Sequence, residues 1–143
     1  MLVASTSFFK PQKRLIMETM EKTMTVQEIA NRLVDLCRQG NYIAAQQELF
    51  SEDATNHEPE NSPSPGPKHI KGRDAIIAKG KQFQDMVEEV HGGSVSDPIV
   101  AGNHFAVSLI LDATYKGMGR QDMREICVYE VKEGKIVREE FFY

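Results

Sequence analysis

From Phe105 to Tyr115 an apolar side chain falls at every second position: Phe105, Val107, Leu109, Leu111, Ala113 and Tyr115, with Ser108, Asp112 and Thr114 among the residues between them. Successive side chains of a strand point to opposite faces, so this period predicts a long strand, His104 to Tyr115, with one face buried. Such a strand needs sheet neighbours and a covering layer. The neighbours are legible on both sides. Ser94 to Val100 reads as a strand ending in the turn Ala101-Gly102-Asn103. Beyond the turn Lys116 to Arg120, the runs Met123 to Val131 and Lys135 to Tyr143 read as a closing hairpin.

The register of that hairpin decides which side chains face inward. A two-residue turn on Glu133-Gly134 would need positive φ at Glu133, which is costly for a residue with a Cβ. A three-residue turn with Gly134 alone in the left-handed region is therefore expected, pairing Val131 with Lys135, Tyr129 with Val137 and Cys127 with Glu139. The inward face then carries Met123, Glu125, Cys127, Tyr129 and Val131, opposite Val137, Glu139, Phe141 and Tyr143. The other face holds Arg124, Glu130, Arg138 and Glu140 and is the more polar.

The covering layer comes from the first half of the chain. Thr25 and Glu28 have capping-box spacing, and Val26, Ile29, Ala30, Leu33, Val34 and Cys37 form one helical stripe that Gly40 terminates. A second helix is expected from Tyr42 to Phe50, a short strand from Asp53 to Glu58, and a third helix from Asp74 to Val90 that ends at Gly92-Gly93. The four prolines of Pro59–Pro67 make that segment a loop. The expected order is two helices, a strand, a helix and four antiparallel strands. Residues 1–24 read as a leader and 25–143 as a single α+β domain.

Composition excludes several classes. The net charge of −4 gives no basic face to neutralise phosphates, and the cluster Lys10, Lys13 and Arg14 reads as solvated, so no nucleic-acid partner is expected. No apolar run approaches the roughly 20 residues of a membrane span, and Met1 to Phe9 makes a poor signal peptide. A cytoplasmic location is the default expectation. Cys37 and Cys127 lack metal-type spacing and read as buried thiols. His57, His69, His91 and His104 are scattered, so no metal site is expected. No glycine-rich phosphate loop or nucleophile elbow is present, and no cofactor is expected.

Three phrases in order, Leu49-Phe50-Ser51-Glu52-Asp53-Ala54-Thr55, Lys71-Gly72-Arg73-Asp74-Ala75-Ile76 and Val131-Lys132-Glu133-Gly134-Lys135-Ile136-Val137, resemble the SnoaL-like branch of the nuclear transport factor 2-like superfamily. The resemblance covers about Thr25 to Tyr143. It implies a curved, mostly antiparallel sheet wrapped around three helices, forming a cone with an internal apolar pocket. It also implies that Glu58, before Pro59, stands where the ketosteroid isomerases of the superfamily carry their base. Their oxyanion partners correspond to Leu33 and Cys127 (or Ile126 in the other register), which donate no strong hydrogen bond, so steroid isomerisation of that kind is disfavoured.

The expected catalytic residues are Glu58, as a carboxylate base with a raised pKa at an apolar wall, and Glu139, with Glu125 as a possible proton-sharing neighbour. The expected ligand-binding residues are Leu33 on the first helix, Asn56 on the first strand and Leu109, Leu111 and Tyr115 on the long strand. Cys127, Tyr129, Phe141 and Tyr143 join them from the last hairpin. Each of these also has a plainer reading, as core packing or, for Glu58, as a rim carboxylate held by a neighbour. The function expected is binding of a small, largely apolar molecule, with isomerase- or cyclase-type proton transfer. The competing expectation is a non-catalytic homodimeric module that pairs through Arg124, Ile126, Val128, Arg138 and Phe142 on the outer sheet face.

Overall fold

The structure is a computed structural model that describes residues 23–143; the expected leader therefore lies outside the described residues, except for Thr23 and Met24. The chain runs α1 (Val26–Arg38), α2 (Tyr42–Leu49), β1 (Phe50–His57), β2 (His69–Lys71), α3 (Arg73–Met86), β3 (Val87–Val95), β4 (Ile99–Ala101), β5 (His104–Tyr115), β6 (Gly119–Lys132) and β7 (Lys135–Phe142). The strands form one sheet in the order β2-β1-β7-β6-β5-β3, with β4 also paired to β5. All pairings are antiparallel except β1 with β7. Three helices and a curved, mostly antiparallel sheet give the α+β architecture expected. Among the described residues no helix is long and apolar enough to cross a membrane.

The capping box of α1 is formed: Thr25 Oγ1 accepts from the Glu28 N–H and Glu28 Oε1 accepts from the Thr25 N–H, both at 3.2 Å. The stripe predicted for this helix is its buried side, from Ile29 through Cys37. Arg32 grips Glu48 of α2 with two hydrogen bonds of 2.6 and 3.0 Å, pinning the short second helix to the first. The core lies between the helices and the sheet. Its aromatic centre is Tyr129, stacked on Phe105 at 4.7 Å and meeting Phe50 edge-on at 6.5 Å.

Five expectations need correction. β1 begins at Phe50, not Asp53, because buried Phe50 pairs in parallel with Ile136. The segment after the proline loop supplies β2, which folds back on β1 and makes Pro59–Pro67 the connection of a wide hairpin. The third helix stops at Met86: Val87–Val90, expected to continue it, pair with β5 from Tyr115 to Ala113. The open edge of a long strand outweighed helical spacing there, with β-branched valines to favour it. Gly92 and Gly93 consequently lie inside β3, where a Cβ on Gly93 would stand 2.7 Å from the Ile110 carbonyl oxygen. The strand expected over Ser94–Val100 is divided into β3 and β4 around Pro98.

The last correction concerns the final turn. Lys132 pairs with Lys135 and Val131 with Ile136, a two-residue turn in which Glu133 has φ 52° and Gly134 φ 75°. Positive φ at both central residues matches the right-handed twist of the flanking strands, and this outweighs the strain at Glu133. The ladder then shifts: Glu130 pairs with Arg138, and Tyr129 with Glu139, leaving Val137 as the extra residue of a bulge. Beyond the bulge the pairing is thus displaced by two residues from the one expected, so Glu139 and Phe141 still share a face with Cys127 and Tyr129. Because Glu133 carries a strained left-handed backbone, Glu133→Asn should stabilise the protein by roughly 0.5–1 kcal/mol, measured by urea denaturation.

Candidate functional site

Between the helices and the sheet lies a cavity of about 190 Å³. The helices contribute positions one turn apart: Leu33 and Cys37 on α1, Tyr42 and Gln46 on α2, and Ile76, Lys79 and Phe83 on α3. The sheet contributes alternate positions, chiefly Leu109 and Leu111 from β5, Met123 to Tyr129 from β6, and Glu139 and Phe141 from β7. Most of this wall is apolar. One side of it is not.

There a chain of hydrogen bonds crosses three elements. Glu139 Oε1 accepts from Asn56 Nδ2 at 2.7 Å, and Asn56 Oδ1 accepts from Lys79 Nζ at 2.7 Å. Lys79 also donates to Glu58 Oε1 at 2.6 Å, and the Tyr143 hydroxyl donates to Glu58 Oε2 at 2.8 Å. Tyr143 is hydrogen-bonded in turn to the Ser62 hydroxyl in the proline loop. Lys68 ties that loop down by donating to the Ser62 and Ser64 carbonyls, each at 2.7 Å, and Ser64 reaches the cavity wall. Asn56 is the hinge of the array: its amide gives a donor to one carboxyl and an acceptor to the ammonium.

The carboxyls sit in different surroundings. The Glu58 side chain is 8% exposed, and each of its oxygens already accepts a hydrogen bond, from Lys79 or Tyr143. Burial pushes Glu139 up to about 7, although the Asn56 amide, the Tyr129 hydroxyl and the Lys79 charge pull the other way. Burial also pushes Glu125 up to about 7, reinforced by the charges of Glu58 and Glu139. The Cys127 thiol, which donates to Glu125 Oε1 at 3.7 Å, is raised by burial and is no nucleophile.

Of the residues singled out in the sequence, Glu58, Glu139, Asn56, Leu33, Leu109, Leu111, Cys127, Tyr129, Phe141 and Tyr143 all line this cavity. Tyr115 does not. Its hydroxyl donates to Met123 Sδ at 2.9 Å and its ring packs beside Phe83 at 5.8 Å, behind the wall rather than on it. Leu33 and Cys127 stand at the wall without offering a strong donor, as their residue types require. His57 turns away from the cavity toward Thr55 and His69. Among the described residues no group of three or more His, Cys, Asp or Glu is placed to hold a metal ion.

The residue that sequence reasoning missed is Lys79. It lies three positions after Ile76 and four before Phe83, so it belongs to the apolar stripe of α3, and an ammonium inside such a stripe calls for a buried partner. Tyr42 and Gln46, one turn apart on α2, were missed as well, because their helix was read only for its core contacts.

Buried Glu139 and half-buried Glu125, both with raised pKa values, give stability a definite pH dependence. Between the ordinary value of 4.5 and about 7, the folded state holds protons that the unfolded state has released. Stability therefore falls as pH rises through that window and levels off above it, by up to about 3 kcal/mol per carboxyl. Melting temperatures taken across the window should decline for the wild type, and less steeply for Glu139→Gln or Glu125→Gln.

Comparison with known proteins agrees with this architecture. Residues 24–143 match the SnoaL-like domain family. A protein of known structure from Mesorhizobium loti, described as a proposed SnoaL-like polyketide cyclase with carbohydrate phosphatase given in brackets, is 37% identical. Its alignment covers 84% of this chain and all of the other, with a TM-score of 0.75. A proposed isomerase from Bacillus subtilis (22% identity, 82% of this chain and 87% of that one, TM-score 0.63) shares the fold. So does a nuclear transport factor 2-like protein of unknown function from Burkholderia pseudomallei (16% identity, 84% and 92%, TM-score 0.67). No curated protein sequence matches significantly. The chain belongs to the SnoaL-like domain family.

Proposed function

We propose that this protein binds a small, largely apolar molecule in its cavity and transfers a proton on it without a cofactor, an isomerase- or cyclase-type step. The observation that carries the reading is Glu139. It is a carboxyl only 5% exposed on the wall of a mostly apolar cavity, with burial holding it at about 7, the range in which a carboxylate exchanges protons efficiently at neutral pH. The expectation that Glu58 is the base gives way to a division of roles. Both Glu58 oxygens are engaged, so Glu58 holds Lys79 and Tyr143 in place while Glu139 takes the proton.

The chemistry suits a C–H bond beside a carbonyl. Glu139 removes the proton, the electron pair moves toward the carbonyl oxygen, and the Glu139 carboxyl, exchanging its proton with solvent before reprotonation, returns a proton to an atom of the same molecule. Leu33 and Cys127 cannot stabilise the developing oxyanion. Lys79 can: an ammonium has three donors, and Glu58 and Asn56 use two of them. The reading is tested by a thermal-shift screen of small apolar ketones, followed by NMR detection of deuterium exchange from D2O. Wild type should exchange ligand C–H, whereas Glu139→Gln should keep the thermal shift and lose exchange by about 100-fold or more. An unchanged exchange rate in Glu139→Gln would remove Glu139 from the role.

A second reading, compatible with the first, concerns the outer sheet face. Ile126 and Phe142 are cross-strand partners, and they remain 52% and 49% exposed. With Arg124, Arg138 and half-buried Val128 around them, they form a mixed apolar and charged surface suited to a homodimer. Ile126→Arg should then shift the protein from dimer to monomer in analytical ultracentrifugation; a wild type that is monomeric at high concentration counts against the homodimer.

A further inference from the structure

Two acceptors on the cavity wall stand outside the Glu139–Asn56–Lys79–Glu58–Tyr143 chain. Glu125 receives, among the described residues, only the long hydrogen bond from the Cys127 thiol, at 3.7 Å. Gln46 Oε1 is buried and receives none among the described residues. The charges are unbalanced in the same sense. Among the described residues Glu58, Glu125 and Glu139 line the cavity against a single cation, Lys79, which is already paired with Glu58 at 2.6 Å. Aromatic residues line the same wall, Tyr42, Phe83 and Tyr143 among them, and aromatic rings attract cations; over the ring of Phe141 stands Lys79 Nζ, 5.8 Å from the centroid. What Glu125 and Gln46 Oε1 lack is a donor, and what the cavity lacks is positive charge to balance its carboxyls.

We propose that the molecule bound here carries a protonated amine on its apolar body, with the ammonium seated against Glu125. This rests on the small-molecule reading above and narrows its ligand class. A carboxylate ligand would add a negative charge beside three carboxyls. A neutral ketone would leave Glu125 without a partner of opposite charge. An ammonium supplies both the charge and the donors, and Gln46 Oε1 is a second acceptor within the same cavity.

The groups that act on Glu125 set a pH signature. Burial together with Glu58, from the end of β1, and Glu139, from β7, holds it at about 7, while Cys127 on β6 and Lys79 on α3 oppose them. The hydroxyls of Tyr42 on α2 and Tyr115 on β5 also feel its charge and stay protonated through this range. An ammonium binds the ionised form, so binding near neutral pH releases a proton, and affinity rises with pH until Glu125 is fully ionised.

The test uses three probes sharing a cyclohexyl body: N,N-dimethylcyclohexylamine, cyclohexyl methyl ketone and cyclohexanecarboxylate. Affinities are measured calorimetrically on the full chain from about pH 6 to 8, in buffers of different ionisation enthalpy. The amine should bind at least tenfold more tightly than either other probe, with net proton release near pH 7. Glu125→Gln, which keeps the shape of the side chain, should abolish both the preference and the proton release. Equal or tighter binding of the ketone or carboxylate overturns the amine inference and leaves the small-molecule reading standing. Failure of all three probes to bind overturns both.

Discussion

One extra residue in β7 governs what the cavity contains. After the two-residue turn at Glu133-Gly134, an unbroken ladder would set Arg138 opposite Tyr129 and turn Arg138 and Glu140 inward. The bulge at Val137 moves Glu139 opposite Tyr129 instead. From there the rest follows by adjacency. The parallel partner of Glu139 on β1 is Asn56, and Asn56 reaches Lys79 on α3, which reaches Glu58 just past the end of β1. A slip of one residue would set an arginine against Tyr129 and leave Asn56 without its carboxyl partner.

The hydrogen-bonded array also explains how polar groups are tolerated so deep in an apolar wall. Burying a charge is costly unless it is paired and hydrogen-bonded. Lys79 and Glu58 satisfy that requirement together, and Asn56 extends the satisfaction to Glu139. Glu125 has no such support, which is why burial and its acidic neighbours act on it with little opposition. The cavity thus divides into a satisfied side and an unsatisfied one. The unsatisfied side is where a ligand gains most, because a partner supplied there replaces a desolvated acceptor rather than competing with an existing hydrogen bond.

Much of the architecture was legible before the structure. The period-two run of β5, the capped stripe of α1 and the proline loop each express a local physical rule, and each folds as that rule predicts. The departures are where tertiary pairing outweighed a local signal. Val87–Val90 could extend a helical stripe, but the free edge of β5 took them as a strand. His69–Lys71 is too short to carry a periodic signal and becomes a strand only by pairing with β1. For the site, alternation placed Tyr115 on the cavity face correctly, yet Phe83 and Met123 stand between it and the open space.

The sequence by itself determined the fold class, the helix layer, and the set of inward side chains on β5 and β6, because these depend on periodicity, capping and turn residues. It also placed Glu139 inward, though through the wrong pairing: a turn one residue too long and an overlooked bulge lead to the same face. Only the tertiary structure decided which polar residues meet. Lys79 lies on a helix and Glu58 at the end of a strand 21 residues earlier, and no local rule joins them. Their encounter depends on how α3 crosses the sheet.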